Sequence, residues 1–280
     1  MKTWLMFLLI AGLGAQAQQP TTQVATKPAS TASDAELDVA SQMVGRALFL
    51  RCFCAENNLT FDAQGHVSGS VKKTDWTLSG VNVLKVSRKG ANEIELDGVR
   101  VAVRYATDRH EFDRKPQNDE AMHMTIMASG SAAEFEKTLA AVFATGIDRP
   151  LQLSMTPAWR HYFDPATPWP NDEITGQTVL SVATSTADVT IAAVTHRADA
   201  EYHMIAARDH VAGIVKLRFV VDAQGEPKRI AIMQPIGYGL DEKAAEAVAK
   251  YRFTPATYKG KAMASNVSID EEFKFVAMPQ

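Results

Sequence analysis

Apolar and polar residues alternate most regularly near the end of the chain. In Ile214 to Val221, Val215, Leu217, Phe219 and Val221 fall on one side of a period-two pattern and Lys216 and Arg218 on the other. That pattern predicts a half-buried strand. Asp222-Ala-Gln-Gly225 follows, with a glycine where a hairpin needs positive φ. A second strand is expected over Arg229 to Gln234, broken by Pro235, Gly237 and Gly239. The period then lengthens. Leu240, Ala244, Ala247, Val248 and Tyr251 make one apolar face of a helix from about Asp241 to Tyr251. Asp241 and Glu242 suit the dipole of its first turn, and Glu246 is four residues from Lys250 on the outer face. The last strand alternates for longest. Val267, Ile269, Phe273 and Phe275 point inward and Ser268, Asp270, Glu272 and Lys274 outward, with Glu271 the exception on the inner side.

The strand, strand, helix, strand order predicts a three-stranded antiparallel sheet with one face covered by the helix. If the last strand lies at the rim, its free N–H and C=O groups are open to a visiting extended peptide. The competing expectations are a rim blunted by charge or paired with a second copy of the chain. The residues expected at such a docking site are Tyr202, Val267, Ser268, Ile269, Asp270, Glu271, Glu272 and Phe273.

Upstream, helical spacing of Leu37, Ala40, Val44 and Ala47 predicts a helix capped by Ser33 or Asp34. Leu48 to Cys54 and Trp76 to Val86 read as strands. Phe61-Asp62-Ala-Gln-Gly65 repeats the tetrapeptide of Asp222 to Gly225, and two similar hairpin turns explain it. Glu93 to Leu96, Asp97-Gly98 and Val99 to Val103 predict a hairpin turning at Asp-Gly. Thr107 to Glu120 reads as an exposed loop and Ala121 to Ala128 as a strand. Ser131 with Glu134 is a capping box opening a helix to about Thr145, with Phe135, Leu139, Val142 and Phe143 on its apolar face. Leu151 to Asn171 is rich in Pro and aromatics, which pin it against a domain; a ligand shelf is the sharper alternative. Gly176 to Val194 predicts one or two strands, and Ala198 to His210 a short helix.

The expected fold class is therefore α+β with two domains. A signal peptide (1–17) and a disordered leader (18–34) precede an α+β domain of unassigned role (35–163), a linker (164–184) and the C-terminal β-β-α-β domain (185–280). The signal peptide rests on Lys2, the apolar run Trp4 to Leu13 and Ala15-Gln16-Ala17 as a cleavage signal. An uncleaved anchor is the alternative. The 46% hydrophobic and 22% charged fractions of the 280 residues are those of a globular protein, and a net charge of −3 leaves no nucleic-acid footprint. Cys52 and Cys54 are expected as two partly buried thiols, with a redox or soft-metal site as the alternative.

No catalytic, nucleotide or metal motif emerges. Gly237-Tyr238-Gly239 lacks the third glycine and the context of a dinucleotide loop. Met122-His123-Met124 splits between two strand faces, and His196, His203 and His210 are spaced by seven across a segment where a helix restarts. Neither set is expected to hold a metal, and no cofactor is expected. A rival reading makes the protein an enzyme or small-molecule binder, with a pocket lined by Trp76, Arg100, Arg104 or Trp159.

Gly213-x-Val215, Val221-Asp222-Ala-Gln-Gly225, Gly239-Leu240-Asp241, Tyr251-Arg252-Phe253-x-Pro255-Ala256 and Lys259-Gly260-Lys261 stand in order at the spacing of the TonB C-terminal domain, which the last third of the chain resembles. The words Asp75-Trp76-Thr77-Leu78 and Gly98-Val99-Arg100 are similar to those in N-terminal halves of exported TonB-domain proteins, a likeness that carries no known activity. The resemblance implies a periplasmic, non-enzymatic module that docks a peptide of an outer-membrane receptor, or of another envelope protein, along its third strand during energy-coupled transport. Inner-membrane anchoring follows instead if the N-terminal segment stays uncleaved. The family often carries Pro-Glu-Tyr-Pro before its short helix; here Ala200-Glu201-Tyr202-His203 keeps the tyrosine without the prolines. Full transducers also have an anchor and a long Pro-rich spacer, where this chain has a cleavage signal and a folded domain.

Overall fold

A computed structural model describes residues 34–275 apart from 129, 182 and 183. The expected signal peptide and nearly all of the leader lie outside the described residues. Helix α1 (Ala35–Ser41) starts at Asp34, whose carboxylate accepts from Leu37 N–H at 3.1 Å. Then come β1 (Leu48–Leu50), β2 (Asn58–Phe61), a 3₁₀ turn (Trp76–Leu78), β3 (Gly80–Gly90), β4 (Glu93–Ala106) and β5 (Glu111–Met127). Helix α2 (Ala132–Val142) opens at the expected cap, Ser131, and stops at Phe143, which begins β6 (Phe143–Ala144). These strands form one sheet in the order β2-β5-β4-β3-β1-β6. Its core joins Leu48, Leu50, Ile94, Leu96, Met122 and Met124 to Phe135, Leu139 and Val142 of α2.

Three expectations for this half are overturned. Asp97-Gly98 does not turn the chain: β4 runs through it, and the turn falls at Ala91-Asn92. Alternation on both sides of Asp-Gly is equally the pattern of one long strand. Gly98 is there because the neighbouring strand comes close; a Cβ would lie 2.2 Å from Asn82 O. The expected loop over Thr107 to Glu120 is mostly strand β5. Its charges ride on a solvated arm of the β4–β5 hairpin, and residues 118–120 bulge out where the register shifts between Val99 and Arg100. Cys52 and Cys54 are not free thiols but a disulfide. The backbone leaves the strand after Leu50 and takes positive φ at Phe53, so the two side chains converge.

Asp62 and Asp222 build matching loops. Each accepts at Oδ1 from the N–H groups two and four residues on, at 2.8–2.9 Å, ahead of a glycine with φ above +80°. The repeated tetrapeptide is a repeated turn, as expected. Met122 and Met124 are core, while His123 is exposed and bonded to Asp97 at 2.7 Å.

Two short helices follow, α3 (Arg149–Ser154) and α4 (Pro157–Phe163), then β7 (Val179–Leu180), β8 (Val189–Thr190), β9 (Ala193–His196) and α5 (Met204–Arg208). The C-terminal stretch has β10 (Gly213–Val221), β11 (Pro227–Gln234), α6 (Leu240–Ala249), β12 (Arg252–Thr254), β13 (Ala256–Tyr258) and β14 (Lys261–Phe273). Strands β11, β10 and β14 are antiparallel neighbours, and β13, β8 and β7 extend that sheet. One hydrophobic cluster runs from Trp76, Ala102 and Val103 through Trp159 to Leu217, Tyr251 and Phe273. Trp76 meets Phe112, Trp159 and Phe163 edge-on at ring separations of 5.2–5.7 Å, so the aromatic segment is pinned as expected. Backbone bonds also join the halves: Tyr105 N–H to Ile236 O at 2.8 Å and Tyr238 N–H to Val103 O at 2.9 Å.

Three of the four residues of the rival pocket are packed instead, and only Arg104 is exposed. Trp76 and Trp159 are core, and Arg100, 2% exposed, donates to the carbonyls of Leu78, Ala55 and Glu56 at 2.6–3.0 Å. The first turn of α6 also differs from expectation. Asp241 is fully buried and accepts from the N–H groups of Ile236 and Gly237, both at 2.7 Å. Asp75, also buried, accepts from Thr77 N–H at 2.6 Å and Trp159 Nε1–H at 2.7 Å. Burial raises both acids above the ordinary range, and their proximity raises Asp241 further. Lys243, rather than Lys250, is the partner of Glu246, at 3.1 Å.

Candidate peptide-docking edge

Strand β14 is positioned by its whole length of pairing with β10, from Ser265 opposite Val221 to Phe273 opposite Gly213. Ser265 fixes the sides. It faces Val221 of β10 across one edge and Leu180 of β7, parallel, across the other. Beyond that rung β7 ends. From Asn266 to Phe273, the described residues give β14 a partner on the β10 side alone. Successive residues of a strand aim their N–H and C=O groups to opposite edges, so alternate residues of this run present free groups.

A cleft of about 580 Å³ opens beside the start of the free run, between Ser181, Ile191 and Ala192 on one wall and Asn266, Val267 and Ser268 on the other. Asn266 Nδ2 donates to Ser181 Oγ at 2.8 Å where β7 leaves the edge. Sequence reasoning missed Asn266 and the opposite wall. Asn266 sits one residue before the expected run; Ser181, Ile191 and Ala192 carry no local signal, because only folding brings them alongside.

The expected site residues are placed as follows. Val267 and Ile269 are half-buried and pack against the core under α6; Ser268, Asp270 and Glu272 are exposed on the other face. Asp270 stands opposite Lys216, and Glu272 pairs with Lys274 at 2.8 Å. Glu271, the apparent flaw in the pattern, accepts from Tyr251 Oη at 2.9 Å and from Arg197 Nη2 at 3.4 Å. The inward carboxylate is satisfied where the apolar face meets solvent, and Arg197 is held more strongly cationic, first by the Tyr251 hydroxyl. Phe273 is only 4% exposed and Tyr202 packs edge-on against it at 5.7 Å. The Tyr202 hydroxyl donates to Val211 O. Tyr202 and Phe273 therefore close the far end of the strand, while Asn266 to Glu272 carry its accessible backbone.

His203 caps α5, its Nδ1 accepting from Ile205 N–H at 3.3 Å; His196 ends β9, and His210 stacks on Phe275. Among the described residues no group of three or more His, Cys, Asp or Glu is arranged to hold a metal. Nor, among the described residues, is any helix long and apolar enough to cross a membrane.

No curated protein matches the chain. The family model that matches is that of the Gram-negative bacterial TonB protein C-terminal, over residues 198–276, and so the stretch holding α5, β10, β11, α6 and β14 carries a TonB C-terminal domain.

Proposed function

We propose that the chain is a periplasmic partner-docking module whose C-terminal domain takes up an extended peptide by strand addition along the free side of β14. TonB C-terminal domains serve TonB-dependent transport through protein interaction rather than catalysis, and they engage outer-membrane receptors. The observation that carries the reading is the run Asn266 to Phe273, paired on one side only and opening on a cleft. Main-chain hydrogen bonds supply the attraction, while Val267 and Ile269 on one face and Ser268 and Asp270 on the other select side chains. The peptide belongs to an outer-membrane transporter.

A photo-crosslinker at Ser268 in cells tests this. The expected capture is a TonB-dependent receptor through its periplasmic segment. Ile269→Pro and Asp270→Pro form a matched pair, because one of the two N–H groups faces β10 and the other the free side. The variant losing the outward group should keep its fold and lose the crosslink. Capture of a second copy of the chain, or a crosslink that survives both substitutions, sinks the proposal.

A further inference from the structure

Helix α4 packs along β11, the outer strand beside β10. Where α4 and the aromatic segment after it meet the sheet lies a cavity of about 310 Å³, lined by His161, Tyr162 and Trp169 from that segment and by Arg218, Arg229 and Asn266 from the strands. The two arginines differ. Arg229 gives Nε and Nη2 to Asp172 at 2.8 and 2.6 Å, and its guanidinium holds that acid down at about 2. Arg218 is exposed and has no hydrogen bond, ion pair or ring contact among the described residues. Its cross-strand neighbours are Ala231 and Ser268, neither of them charged. A guanidinium without a counterion on a cavity wall is a ready holder of a carboxylate or phosphate.

The residues from α4 point the same way. The short bond of His161 Nδ1 to Pro157 O, 3.0 Å, requires the proton on Nδ1 and leaves Nε2 an acceptor in the neutral ring. That Nε2 is buried without a partner, on a residue that lines the cavity. Buried polar atoms are rarely left so, and one on a cavity-lining side chain marks where a polar molecule is wanted. Trp169 stacks on the His161 ring at 3.5 Å and 10°, giving a flat aromatic wall. The volume is at the lower end for ligand pockets, roughly 300–1,000 Å³, which suits a molecule of about one sugar ring.

We propose that this cavity binds a small hydroxylated organic anion. Arg218 holds its carboxylate or phosphate, the Asn266 amide and His161 meet its hydroxyls, and Trp169 covers its ring. His161 Nε2 is closed to solvent, so engaging it requires the stacked His161–Trp169 pair to move, which indole fluorescence reports. The cavity shares Asn266 with the docking edge, but the anion-holding Arg218 lies on β10 and not on the free side of β14, so its replacement tests the cavity apart from peptide docking.

Calorimetry on the full chain with glucuronate, glucose 6-phosphate and glucose tests it, up to about 10 mM. At least one anion should bind, with glucose about tenfold weaker or more. Whichever anion binds more tightly tells carboxylate from phosphate. Arg218→Ala should cost the anion about tenfold or more in affinity at unchanged Tm. Trp169→Phe should abolish the fluorescence change on binding. Glucose binding as well as the anions, an unaffected Arg218→Ala, or no binding of any of the three overturns the proposal.

Discussion

Replacing Glu242 by glutamine should flatten the pH dependence of stability. Glu242 stands in the first turn of α6, half-buried, with the buried Asp75 carboxyl nearby. Burial first, then the Asp75 charge, push its pKa from 4.5 up to about 8. The folded protein therefore keeps a proton that the unfolded chain gives up. Below pH 4.5 both states hold it, and the full stability is present. As pH rises towards 8 the unfolded chain gains an ionisation that the folded one is denied, so stability falls; above 8 the loss levels off. Each pH unit of that interval corresponds to about 1.4 kcal/mol, a ceiling of roughly 5 kcal/mol. Glu242 keeps contact with water and shares its protonation with Asp75, which brings the expected loss to about 1–3 kcal/mol. Glutamine mimics the protonated acid at every pH. Urea unfolding of both proteins at pH 5, 6.5 and 8 should give nearly equal stabilities at pH 5 and a more stable variant at pH 8. Asp75 and Asp241 are present in both proteins, so their own contributions largely cancel. Parallel pH profiles would refute the account.

Three further outcomes follow from the packing. Gly237 has φ +91° and a Cβ there would lie 2.1 Å from Val103 O, so Gly237→Ala should lose about 2–4 kcal/mol, read as a fall in Tm. Trp159→Phe keeps most of the buried ring but strips Asp75 Oδ2 of its donor at 2.7 Å; a loss of about 1–3 kcal/mol is expected in urea, larger at pH 8 than at pH 5 because the orphaned group is then more often charged. Arg197→Ala should cost less than about 1 kcal/mol, since Arg197 is 60% exposed and Tyr251 still serves Glu271; a larger loss would show that the pair matters to the fold.

The sequence by itself determined the elements whose reasons are local. Alternation in β10 and β14, helical spacing in α6, the Asp-Ala-Gln-Gly turns and the Ser131 cap all depend on neighbours within one turn or one strand, and those were legible. Several family words set at fixed spacing carried the family resemblance for the same reason. Long-range contact decided the rest. Whether Asp97-Gly98 turns or runs straight depends on how close Asn82 comes, and whether Glu120 sits on a loop or a strand depends on β4 beside it. Asp241 looks like a surface dipole partner in sequence, yet it is buried because the 3₁₀ turn bearing Asp75 and Thr77 is brought against the start of α6, Thr77 Oγ1 accepting from Gly239 N–H at 2.8 Å. The open run of β14 and the wall facing it exist only once β7 and β8 are laid beside the strand, since a backbone group is free or taken according to what the fold places next to it, and side-chain pattern does not encode that.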